Sequence, residues 1–127
     1  MDLNALLTVS SIYLVLLGLV TLLFPTAVTA GSLAPASLVV TDILRSTAGA
    51  YLGGAIVNWI ARKSEPSRGR DAIILGNTFG FSVASLFGIL AVIQGFTIGG
   101  GVTVIISAII ANGFLIVGLS NLSNPLS

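Results

Sequence analysis

Charge is confined in this chain: six of its nine Asp, Glu, Lys and Arg residues lie between Arg62 and Asp71, in the stretch WIARKSEPSRGRD. On either side the sequence becomes long, apolar and rich in glycine. Leu3 to Phe24 carries no charge, and at ~1.5 Å rise per helical residue it covers the ~30 Å hydrocarbon core of a bilayer. A chain of 127 residues that is 55% hydrophobic and 7% charged, with a mean hydropathy of +1.10, has more apolar surface than a soluble domain can hide. Its solvent is therefore expected to be lipid. The expected fold class is all-α, an integral membrane four-helix bundle forming one domain over residues 1–127.

Pro25 stops the first span, 3–24. Val28, Thr29 and Ala30 ahead of Gly31 look like a signal-peptide cleavage site. Against cleavage, Asp2 stands where a signal carries Lys or Arg, and the apolar run is too long for a signal core. Thr26 to Val40, with Gly31 and Pro35, reads as a surface connection. Thr41 or Asp42 caps a second span over 41–62. The basic loop 62–71 is broken by Pro66 and Gly69, and a third span runs over 71–94. The triplet Gly99, Gly100, Gly101 is expected to make the next turn, and a fourth span over 102–119 ends in a polar tail with Asn121 and Asn124. Four of the five basic residues fall in the central loop, and positive loops stay inside. This orients the chain in the cell membrane with the loop and both termini cytoplasmic; Arg45, near the outer end of the second span, departs from the rule only mildly.

The sequence has no Cys and no His, which removes disulfides, thiol catalysis, and haem or zinc sites built on imidazole or thiolate. Asp2, Asp42, Glu65 and Asp71 are the candidate bases, and none has a convincing nucleophile beside it. No phosphate-cradling Gly-Lys-Ser loop occurs. No catalytic residue, metal site or cofactor is expected. The net charge of +1 is too small to indicate nucleic acid as a partner.

Polar residues inside the spans are the candidate binding residues. Asp42 and Arg45 are spaced i, i+3 in the first outer turn of the second span and can face each other. Either they form an interfacial pair with Arg45 snorkelling, or Arg45 serves an anionic ligand or a partner. Asn58, Asn77 and Asn112 come from the second, third and fourth spans, at ~6, ~9 and ~11 Å from the cytoplasmic face by helical rise. They read either as interhelical glue or as a polar pocket open to the cytoplasm. Tyr13, Tyr51, Ser85 and Ser107 form a further layer near mid-membrane, where each hydroxyl needs a partner. Gly76, Gly80, Ala84 and Gly88 on the third span, and Gly49 and Gly53 on the second, make small-residue stripes that let backbones approach closely. The expected partners are the lipid bilayer and, through Gly76, Gly80 and Gly88, other membrane subunits or copies of this chain.

The succession LLGLVTLLFP, DILRSTAGAYLGGAIVNWIAR, a short basic loop and RDAIILGNTFGF resembles small prokaryotic four-helix membrane proteins of unassigned activity. The likeness covers Leu16 to Phe81 and implies no activity. Small multidrug exporters carry an acidic residue within the first helix, which this chain lacks. Fluoride channels carry a Thr- and Phe-rich third-helix signature, of which Asn77, Gly80 and Phe81 are a weak echo. The functional expectation is a structural or accessory membrane subunit, and the alternative is an oligomeric channel or transporter for small solutes or ions.

Overall fold

The computed structural model describes residues 2–28, 38–93 and 98–122. Among them every regular element is helical: α1 (Leu3–Leu23), α2 (Pro25–Val28), α3 (Leu38–Ala61), α4 (Arg68–Ile93) and α5 (Ile98–Gly113), the last running into a π-helical segment, Phe114–Gly118. Asp2 caps α1, its Oδ1 accepting from the Ala5 amide at 2.7 Å. Pro25 has no amide hydrogen to continue that ladder, so α1 gives way to the single turn α2, which Pro25 opens.

Among the described residues, three helical stretches are long and apolar enough to cross a membrane: Leu3–Leu23, Arg68–Leu90 and Gly101–Gly118. The expected second span is not among them. At 24 residues α3 has the length, but Asp42, Arg45 and Asn58, together with its Ser, Thr and Gly residues, dilute its apolar character.

Three helix starts differ from expectation: α3 begins at Leu38, so Thr41 and Asp42 stand inside its first turns rather than capping it, and the starts of α4 and α5 differ as well. α4 starts at Arg68 rather than Asp71 because Ser67 Oγ accepts from the Arg70 amide at 3.3 Å and caps the first turn. The glycine triplet lies within α5 rather than between helices. An unpaired backbone group in lipid costs several kcal/mol, against a helix penalty of ~1 kcal/mol per glycine, so the helical ladder wins. Residues 29–37 and 94–97 lie outside the described residues.

The helices pack as two hairpins, α1 along α3 and α4 along α5, with sparser contact between the hairpins. Close approach depends on particular glycines. A Cβ at Gly18 of α1 would lie 2.8 Å from Leu52 Cγ and 3.4 Å from the Ala48 carbonyl oxygen on α3; one at Gly88 of α4 would collide with Val104 of α5. The hairpins meet around Leu6, Leu7, Ala61, Ile74, Phe81, Ile110 and Phe114. There Phe81 stacks on Phe114 at 6.1 Å and 9°, and tilts against Tyr13 at 6.2 Å. The π segment widens the last helix at this point, burying Phe114 completely and setting Gly118 so close to Ile74 that a Cβ would be 2.8 Å from its Cγ2.

Polarity is distributed inside out. Ser10, Ser11, Thr21, Asn58, Ser85 and Ser107 are buried, whereas Leu16, Leu23, Phe79, Phe87 and Ile116 are exposed. Such a surface suits a hydrocarbon solvent and would be an aggregation liability in water.

Candidate functional site

The polar groups that the helices bring together are Ser10 of α1, Asn58 of α3 and Asn77 of α4. Asn58 is 1% exposed. Its Nδ2 donates to Asn77 Oδ1 at 3.0 Å, and Asn77 Nδ2 donates back to Asn58 Oδ1 at 2.7 Å, so the two carboxamides form a reciprocal pair. The second hydrogen on Asn58 Nδ2 goes to Ser10 Oγ at 3.0 Å, and that on Asn77 to the Ile73 carbonyl oxygen at 2.9 Å. Ser10 Oγ in turn donates to the Leu7 carbonyl oxygen at 3.0 Å. Every N–H of both amides is thus committed within the protein, and so is the Ser10 hydroxyl proton. In a low-dielectric interior a satisfied network holds its geometry, whereas a lone amide would carry the full cost of desolvation.

Asn112, expected as the third amide, is elsewhere. It is exposed, and its Nδ2 donates to the Ala108 carbonyl oxygen of its own helix at 2.8 Å. The correction is rotational: the depth expected from the helix ends puts Asn112 near the other two, but its side chain leaves the opposite face of α5. Ser11, one residue after Ser10, adds a bond from its hydroxyl to the Ala55 carbonyl oxygen on α3 at 2.7 Å. Nothing in the sequence singles out Ser10 or Ser11 as partners, since serine is common in membrane helices and its facing helix is not encoded locally.

Comparison with protein-family models, curated proteins and solved structures finds no match to this chain.

Of the hydroxyls expected near mid-membrane, Tyr13 of α1 and Ser107 of α5 meet with 3.0 Å between them, and the Tyr13 hydroxyl also reaches the Thr103 carbonyl oxygen at 3.4 Å. Ser85 instead bonds back to the Phe81 carbonyl oxygen at 2.7 Å, and Tyr51 is half-buried against the core. Between this layer and the amide pair stand Phe81 and Phe114, so no polar file joins the two levels along these residues.

Asp42 and Arg45 do approach each other, with 3.9 Å between Oδ1 and Nη1, while their side chains stay 78% and 53% exposed. At that distance and exposure the attraction is at the weak end, about 0–1 kcal/mol. Both groups are exposed near the N-terminal end of α3, which is compatible with an interfacial, snorkelling pair.

Of the glycines expected on a partner surface, Gly88 is used within the chain, against Val104. Gly76 and Gly80 are exposed, and a Cβ at either would meet nothing within 4 Å; Gly49 and Gly53 behave likewise on α3. The central loop has its own organisation. Arg70 donates from Nη1 to the Ser64 carbonyl oxygen at 3.2 Å and from Nη2 to the Asn121 carbonyl oxygen at 3.3 Å, tying the loop to the end of the last helix. Arg62 lies over the Trp59 ring, 3.3 Å from its centroid.

Proposed function

We propose that this chain is a four-span, single-domain integral protein of the cell membrane, acting as a structural or accessory subunit with no catalytic activity of its own. The observation that carries this reading is the closed Ser10–Asn58–Asn77 network. Amides whose donors are all spent on each other hold helices together; they offer little to a solute. On this reading α3 is the fourth span despite its polar residues. Its 24 residues rise ~36 Å, Asn58 is neutralised by bonding, and Asp42 and Arg45 remain at the outer interface. The basic residues of 62–70 then lie inside with both termini. The resemblance to small prokaryotic four-helix membrane proteins agrees with this architecture. Gly76 and Gly80, with Gly49 and Gly53, are the outward faces on which another subunit or a second copy would pack.

Reporter fusions test the span count. A reporter active only in the cytoplasm should work after Ser67 and at Ser127 and fail after Gly31. Equal behaviour after Gly31 and Ser67 would mean that α3 does not cross, and would end the four-span reading. Because the sequence has no cysteine, Gly80→Cys gives a background-free probe of packing. Oxidative cross-linking in native membranes is expected at position 80 and not at position 112.

A second reading, an oligomeric channel or transporter, is favoured by one observation: Asp42 and Arg45 present charge on the outside of a single copy, where several copies could gather it around an axis. Anion flux in liposomes that is lost in Arg45→Gln would support that reading over the first.

A further inference from the structure

A shallow apolar groove of about 320 Å³ runs between α1 and α3, lined by Ser11, Ile12, Val15, Ala55, Ile56 and Trp59. Ser11 contributes no free donor to it, since its hydroxyl is spent on the Ala55 carbonyl oxygen. Ile12, Ile56 and Trp59 are exposed along it, and at its α3 end stands Arg62, one helical turn after Asn58. The Arg62 guanidinium lies over the Trp59 ring, and its Nε is buried without a hydrogen-bond partner in the protein. A tryptophan under a guanidinium at the end of an apolar groove combines two kinds of recognition. The ring and groove accept hydrocarbon, while the cation, with Lys63 beside it, calls for a negative group at the level where a membrane helix ends. Arg62 and Lys63 follow Trp59 closely in the chain, so the charge at this end of the groove is positive.

We infer that this groove is a site for one anionic phospholipid, an acyl chain lying along Ile12, Val15, Ile56 and Trp59 and the phosphate set against Arg62. The inference rests on the membrane placement proposed above. It adds a defined lipid class at a defined place, where an unspecialised surface would take lipids in proportion to their abundance. Basic residues beside an anionic leaflet favour acidic over zwitterionic lipid by an amount that reads as about fivefold in relative affinity per residue.

Trp59 is the only tryptophan in the sequence, so its fluorescence reports this groove alone. The full chain is reconstituted in vesicles in which either phosphatidylglycerol or phosphatidylcholine, at matched mole fraction, carries bromine near the glycerol end of its chains. Stronger quenching by the brominated anionic lipid is expected, corresponding to about fivefold enrichment at Trp59. That preference should vanish in Arg62→Gln, vanish in Val15→Phe, which fills the groove from an exposed position, and persist largely in Lys63→Gln. Equal quenching by the two lipids in the unmodified protein would overturn the site while leaving the membrane placement standing. Quenching by neither would overturn both, unless dilution into excess lipid restores it; a second copy would then be the occupant, and the lipid site would again be wrong. Since the decisive comparison uses the unmodified protein, a variant that misfolds does not obscure the outcome.

Discussion

At the scale of single residues, the amide pair decides which polar groups matter. Asn58→Leu or Asn77→Leu each leaves the other carboxamide with its oxygen and one N–H unsatisfied inside the bundle, a loss on the order of 1–3 kcal/mol. The double variant should cost less than the sum of the two, with a coupling of about 0.6–2 kcal/mol, in reversible denaturant unfolding in bicelles. Asn112→Leu, on the exposed face of α5, should change stability by less than about 0.5 kcal/mol. Additive losses for the first pair would mean that the reciprocal bonds contribute nothing. The glycines sort in the same way. Gly88→Leu must displace the β-branched Val104, and Gly118→Leu must displace Ile74, so both should unfold more readily than the parent. Gly80→Leu, with open space around it, should keep the fold of one copy and lower only association between copies, read by cross-linking or by sedimentation in detergent. That Asn58 and Asn77 could meet was legible in the sequence, but the direction of Asn112 was not. In lipid, outward-facing and inward-facing residues are both apolar, so hydrophobic patterning, which fixes the rotation of a helix in a soluble protein, does not fix it here.

At the scale of elements, the helices announced themselves by length and by their stops, Pro25 and the Pro66–Gly69 break, while their ends shifted with caps. Ser67 is an ordinary loop residue until its hydroxyl is seen on the Arg70 amide, and the glycine triplet reads as a turn only by the statistics of water-soluble chains. The character of α3 was the hardest to read, because its polar residues serve opposite ends: Asn58 is satisfied inside, and Asp42 with Arg45 stays outside. Packing between elements is expected to depend on shape more than on hydrophobic transfer. Phe114, fully buried between Phe81 and Ile74, is the place to measure this. In water Phe→Ala in a core costs ~3–5 kcal/mol, but lipid solvates the exposed ring as well as the protein does, so the transfer part drops out. Phe114→Ala should therefore cost about 2 kcal/mol, from the cavity alone, in the same unfolding measurement. A loss of the full aqueous size would mean that the ring gains more from the protein than lipid can offer.

At the scale of the whole molecule, the two hairpins hold together internally more than they hold each other. Their mutual contact is concentrated in the amide pair, the Tyr13–Ser107 hydroxyls and the Tyr13–Phe81 ring contact. Helices that insert independently and associate afterwards need no covalent link to find one another. The peptide bonds across the central loop are consequently dispensable in principle, and the chain behaves as two genes written as one. Residues 1–66 and 67–127, expressed as separate polypeptides with a tag on one, should co-purify from the membrane in mild detergent. Asn77→Leu in the second piece should lower that recovery, whereas Asn112→Leu should leave it intact. If the halves pass each other by, the loop is a tether that the interface cannot do without; if they join, a natural split or fusion at this point would leave the assembled bundle unchanged.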